Sequence, residues 1–200
     1  MLLACGANTP TIPPELLNGD GNGCSATEYP SGPYGAQEGD TLVNACFQGY
    51  RDPSRVSHEQ SSLEAIAFSD YYDPTGSKGY QLLLINTAAI WCSACRTEHE
   101  GLSAKNDEYS PRGLRIVSTL FQDAAHDPAT LANLNTWVET FSSDYTMALD
   151  PTYQFGQYAP AASAPLNLVV NARTMQIEKV LLGDEPTILW PFIDAELPQP

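Results

Sequence analysis

Basic residues are scarce. Nine Lys and Arg face 24 Asp and Glu in 200 residues, a formal charge of −15. Nucleic-acid binding needs clustered cations against phosphate, so the balance argues against that class, and it disfavours an anionic membrane surface for the same reason. The acidity reads as solubility. Long apolar runs are lacking too, since no stretch approaches the roughly 20 residues of a membrane span. Charged residues make up only 16%, low for a globular chain, while 42% hydrophobic residues suffice for a core. The length suits one domain with an appendage. A second Cys-x-x-Cys is also missing. Zinc held by one such pair needs two further ligands, and His58, His99 and His126 lack ligand-like spacing. Internal repeats are absent.

What is present divides the chain unevenly. Residues 1–28 read as a tether rich in Gly and Pro, without periodic apolar residues. Residues 29–62 read as an irregular extension packing on the domain, with one short strand around Leu42 to Phe47. Residues 63–200 carry regular structure. "LEAIAFSDYYD" is strand-like, and "YQLLLINTAAI" is a continuous apolar run suited to a central strand buried on both faces. A helix is expected from about Cys92 to Asn106. "LRIVSTLF" is a second buried strand. Asp127 as N-cap and Pro128 at the first helical position would open an amphipathic helix carrying Leu131, Leu134, Val138 and Phe141. "YTMALD" is a short strand, and Asp150-Pro151 would cap a short helix running to Tyr158. Two strands follow around Asn171 to Thr174, then a helix from Pro186 bent or ended at Pro191. Asp70, Asp73, Asp123 and Asp127 read as turn and cap residues. Strands alternating with helices predict an α/β fold: a parallel core sheet, with the closing hairpin as an antiparallel edge.

The chemistry concentrates in "INTAAIWCSACRTEHE", Ile85 to Glu100. A dithiol enzyme needs a thiolate near neutral pH, yet a free thiol titrates near 8.5. Cys92 falls at the expected helix start, where partial positive charge and free N–H groups stabilise a thiolate. Cys95, one turn on, lies on the same face and can resolve a mixed disulfide at Cys92. Trp91 can shield the pair.

These residues resemble the thioredoxin superfamily and, within it, the extracytoplasmic TlpA/ResA-like thiol–disulfide oxidoreductases. That family carries an Asn six residues before the first Cys, a Trp immediately before it, two residues between the cysteines, then Arg and Glu. Here these are Asn86, Trp91, Cys92, Cys95, Arg96 and Glu98. The resemblance implies a thioredoxin-like fold, a central mixed sheet flanked by helices. It implies that Glu98 handles protons beside the disulfide, with Cys92 and Cys95 catalytic and no cofactor beyond the pair. It also implies a cis-proline opposite the pair. Pro165 in "SAPLNLVV" fits, because a cis peptide is cheap only before proline, and Ala164 would pair with an extended substrate backbone. Two departures stand out: Ala94 and Glu100 occupy places where the family often has proline.

Leu2, Leu3 and Ala4 before Cys5 resemble a bacterial lipobox, which would lipidate Cys5 after removal of a signal peptide. Cys24 and Cys46 then remain, as a structural disulfide or as free or buried thiols. The reading that emerges is an exported, lipid-anchored thiol–disulfide oxidoreductase of the periplasm. It would act on exported protein substrates, by resemblance as a reductant recharged by a membrane redox partner. Two alternatives stay open. One is a thiol peroxidase, although "NTAAIWC" lacks the usual Pro-x-x-x-Thr-x-x-Cys loop. The other is a copper- or metal-binding lipoprotein of the same fold.

Overall fold

The computed structural model describes residues 28–199. Seven strands form one sheet: β1 (Cys46–Tyr50), β2 (Glu64–Ala67), β3 (Leu82–Ala89), β4 (Leu114–Gln122), β5 (Thr146–Leu149), β6 (Leu166–Asn171) and β7 (Ile177–Leu182). Their order is β2-β1-β5-β4-β3-β6-β7. β3, β4 and β5 are parallel, and every other pairing is antiparallel. All eight side chains of β3 are buried, as the unbroken apolar run predicts for a strand with neighbours on both edges and cover on both faces.

Three helices cover one face: α1 (Ser93–Tyr109), α2 (Leu131–Phe141) and α3 (Pro186–Glu196). Leu82 and Leu84 of β3 point to this side, with Leu102 of α1, Leu134 and Trp137 of α2, and Leu189 and Ile193 of α3. Leu83 and Ile85 point to the other face, the two-residue period of a strand. There they meet Leu42, Phe68, Phe155, Leu168 and Met175. Among the described residues no α-helix covers that side. Short 3-10 turns carrying Phe68 and Phe155 do, together with a strap from the N-terminal segment. Thr41 bridges Gln176, Gly39 N–H donates to Ile177 O, and Ile177 N–H donates to Asp40 O. The strap then crosses beneath the sheet and enters β1 at the far side.

Several boundaries differ from the sequence expectation. Among the described residues regular structure begins at Cys46, not near Leu63, because β1 joins the sheet through β5. The strand-like stretch from Leu63 shortens to β2. Asp70 Oδ2 then accepts the Ala67 N–H at 2.9 Å and turns the chain into a 3-10 turn over Phe68–Tyr71. Asp127 does not cap α2. Asp123 Oδ1 instead accepts the Ala125 and Asp127 N–H groups, and Ala129 N–H donates to Phe121 O, so Asp127-Pro128 lies in a turn that runs on beside β4. The cap is Thr130, reciprocated by Asn133, a capping box three residues later than expected. Helix α1 runs on to Tyr109, with Gly113 at φ +102° closing the turn into β4. Helix α3 continues through Pro191 to Glu196. The carbonyl that proline leaves unbonded belongs to Thr187, in an exposed first turn where solvent can serve it. Thr130→Ala, which deletes one cap, is expected to lower stability by about 1 kcal/mol, read as a lower denaturation midpoint at unchanged slope.

Candidate active site

The C-terminal end of β3 feeds directly into α1, so the Trp91–Cys92 turn sits at the carboxyl edge of the parallel strands, where α/β sheets expose their ligand crevices. Cys92 is the N-cap of α1, and Cys92 and Cys95 form a disulfide. Cys92 Sγ accepts the Cys95 N–H at 3.0 Å, the free helix-start donor that the sequence places there. Cys92 is 4% exposed and Cys95 0%, so Cys92 is the sulfur nearer solvent.

The Ala164–Pro165 peptide is cis, as the resemblance implies. Ala164 O lies 3.4 Å from Cys92 Sγ. The loop before β6 therefore sits against the disulfide. Trp91 donates its indole N–H to Gln122 Oε1 at 3.0 Å, packs edge-on to Phe121, and carries the His126 ring stacked on it at 4.9 Å.

Glu98 is buried, not a surface charge. Its carboxylate accepts two amide donors: Asn86 Nδ2 at 2.6 Å on Oε2 and Asn167 Nδ2 at 2.7 Å on Oε1. Burial pushes its pKa up from 4.5 to about 7, against the pull of both amides and aided by the Asp184 charge. A carboxyl that titrates near neutrality beside a disulfide can give or take a proton there.

The polar floor of the site spans three strands. Ser118 of β4, Asn86 of β3 and Asn167 of β6 are register partners in one row facing the helices. Asn86 is fully bonded: Oδ1 meets Ser118 Oγ at 2.9 Å and His99 Nε2 at 3.0 Å, while Nδ2 donates to Glu98 and to Asn167 Oδ1. His99, buried in α1, meets the Trp137 indole N–H at 3.1 Å and the Tyr145 hydroxyl at 2.9 Å through Nδ1. Burial pulls its pKa down to about 3, so it is neutral.

The structure thus brings Trp91, Cys92, Cys95, Glu98, Ala164 and Pro165 to one place, with Asn86 beneath. Cys5 and Cys24 lie outside the described residues. Cys46 is disulfide-bonded. The histidines are dispersed: His58 bonds Pro53 O, His99 is in the floor and His126 is on Trp91. Among the described residues no group of three or more His, Cys, Asp and Glu could hold a metal ion, and no helix is long and apolar enough to cross a membrane. The sequence reading passed over Ser118, Asn167 and Tyr145, and took Trp137 for core or rim packing, whereas its indole N–H is bonded to His99. The signal for the first two was a polar residue inside the apolar runs "RIVSTLF" and "PLNLVV", each at a floor position of a strand covered on both faces.

No protein-family model matches the chain, and no curated protein does. Solved structures do. A putative thiol:disulfide interchange protein DsbE from Chlorobium tepidum aligns with a TM-score of 0.58 at 16% identity, over 79% of this chain and 94% of that one. The fold is thioredoxin-like. AhpC from Mycobacterium tuberculosis aligns with a TM-score of 0.59 at 16% identity, over 80% of this chain and 92% of its own. A DsbF homologue from Corynebacterium diphtheriae aligns with a TM-score of 0.55 at 16% identity, covering 86% and 99%. At these identities the likeness speaks for the fold alone. This is a thioredoxin-like protein carrying an active-site-like disulfide, an arrangement consistent with thiol–disulfide exchange in general.

Proposed function

We propose that the protein is a thiol–disulfide oxidoreductase that exchanges the Cys92–Cys95 pair with exported protein substrates, acting as their reductant. One observation carries the reading: the disulfide opens α1 with Cys92 Sγ on a helix N–H, facing Ala164 O beside a cis-proline. In the reduced protein the Cys92 thiolate attacks a substrate disulfide. One substrate sulfur leaves as a thiolate and takes up a proton, and a mixed disulfide forms at Cys92. Cys95 then gives its proton to the Glu98 carboxylate and attacks Cys92 Sγ. The second substrate thiolate leaves, accepts that proton, and two electrons have passed from the pair to the substrate. Ala164 offers backbone hydrogen bonds to an extended substrate segment, and Trp91 flanks it.

The likeness to the Chlorobium structure, a putative thiol:disulfide interchange protein, supports an exchange role. The family resemblance read from the sequence adds an extracytoplasmic site and a membrane partner that recharges the pair, and the N-terminal residues add a lipid anchor at Cys5 and a Cys24–Cys46 staple. The likeness to AhpC favours a second reading, thiol peroxidase; stoichiometric consumption of peroxide by the reduced protein would establish it.

The first measurement is the redox equilibrium of the pair in a glutathione or dithiothreitol series, read by alkylation and mass. A reversible midpoint between about −120 and −270 mV is the expected result. A pair that stays oxidised below about −300 mV would mark a structural staple and end the exchange reading.

A further inference from the structure

We propose that His99 and Trp137 are positioning residues: together they fix which way round the Asn86 amide faces, and so keep an amide N–H, not a carbonyl oxygen, on the Glu98 carboxylate. The inference rests on the reading of Glu98 as the proton-handling group of the pair.

The logic is one of donors and acceptors. An indole N–H can only donate. Trp137 Nε1 is 3.1 Å from His99 Nδ1, so that ring nitrogen is the acceptor. In a neutral imidazole the proton is then on Nε2. Nε2 is 3.0 Å from Asn86 Oδ1 and donates to it, as the Ser118 hydroxyl does from 2.9 Å. With its oxygen held on that side, the Asn86 amide nitrogen faces Glu98 Oε2 at 2.6 Å and Asn167 Oδ1 at 3.0 Å. A flipped Asn86 would set N–H against N–H at His99 and oxygen against oxygen at Glu98. Orientation therefore passes from the indole of α2 through the imidazole of α1 to the amide of β3 and on to the carboxylate.

A structural filler would not need this chemistry. The faces of the ring pack against Trp137, Phe141 and Tyr145, space a phenylalanine could also fill, but both ring nitrogens are spent on the polar floor. Burial keeps the imidazole neutral, so it can hold a single tautomer through the physiological range. The groups that face Glu98 are Asn86 from β3 and Asn167 from β6, with Asp184 just after β7 and Tyr145 ahead of β5 within electrostatic reach. Only Asn86 among the two amide donors has its orientation set by a neutral histidine.

Nuclear magnetic resonance on the full oxidised chain tests this. In the unmutated protein the His99 ring should show a proton on Nε2, none on Nδ1, and no titration across about pH 4 to 8. The Glu98 carboxyl carbon should titrate near about 7. His99→Phe should raise that midpoint by about one pH unit, since it releases Asn86 to flip away from the carboxylate. His99→Gln, whose amide can donate to Asn86, should restore it. Trp137→Phe should admit the other tautomer. A proton on Nδ1, an imidazole that titrates in this range, or a folded His99→Phe protein with an unmoved Glu98 midpoint would each overturn the proposal. If His99→Phe does not fold, the ring-nitrogen assignment and Trp137→Phe decide. The two layers separate cleanly. Exchange that is indifferent to Glu98→Gln sinks the proton-handling reading, whereas an unmoved midpoint alone sinks only the positioning.

Discussion

Cys92→Ser will end disulfide exchange, and Cys95→Ser will leave attack intact while accumulating a mixed disulfide at Cys92. The asymmetry follows from position. Cys92 caps α1, its sulfur accepts a helix N–H, and it is the less buried of the two. An anionic sulfur there gains from that donor and from the helix-start field. Serine offers neither a thiolate near neutral pH nor a sulfur to bridge. Cys95 is fully buried one turn on and can meet only the sulfur already in place. Turnover of a disulfide peptide should therefore drop to the uncatalysed background in Cys92→Ser. Mass spectrometry of Cys95→Ser after contact with glutathione disulfide should show a stable glutathione adduct on Cys92. Full activity of Cys92→Ser would sink the assignment.

The second large effect belongs to Glu98. Its carboxyl titrates at about 7 in the folded chain against 4.5 for an ordinary glutamate. A raised carboxyl favours the fold while it is protonated in both states. That contribution is whole below about pH 4.5 and is lost as pH rises through about 7. Asp150, buried after β5 and raised from 3.8 to about 7, acts in the same direction. Neutral His99, lowered from 6.5 to about 3, acts oppositely: its contribution is present above 6.5 and lost as pH falls through 3. Comparing Glu98→Gln with the unmutated chain isolates the first term. The variant should gain about 3 kcal/mol relative to the parent between pH 4.5 and 7, seen in denaturant melts at the two pH values. Its exchange rate should fall by about 10²-fold at neutral pH and lose any step near pH 7, because glutamine cannot accept the Cys95 proton. Parallel stability curves for the two proteins would show that Glu98 titrates as an ordinary exposed carboxyl.

Much of this was legible in the chain. The apolar run before Trp91 and the Cys spacing after it place strand, disulfide and helix correctly, and Pro165 falls where a cis bond belongs. These are local signals, each carried by a handful of adjacent residues. What escaped was non-local. Thr130 outcompetes Asp127 as a cap only because Ala129 first pairs with Phe121. β1 and its neighbour β2 join the main sheet only because β5, far along the chain, offers β1 an edge. Asn86, Ser118 and Asn167 are unremarkable singly. They become a floor only once three strands are in register. Nothing within α1 says which of its faces the sheet will take, so the burial of Glu98 does not follow from the helix alone.

The strap has a consequence for the order in which the molecule can assemble. Thr41 closes on Gln176, and Gly39 and Asp40 on Ile177, across most of the described chain. During synthesis the strap emerges long before β7 exists, so this seam can close only after the sheet has been threaded from β3 to β7. Closing so long a loop carries an entropic cost that local contacts do not, and it slows folding. Until it closes, the outer edge of β7 is a bare ladder of N–H and C=O groups open to another chain. A nascent copy is thus unfinished at two places at once, the strap and the start of the edge it meets at Gln176 and Ile177, and a single late step completes both.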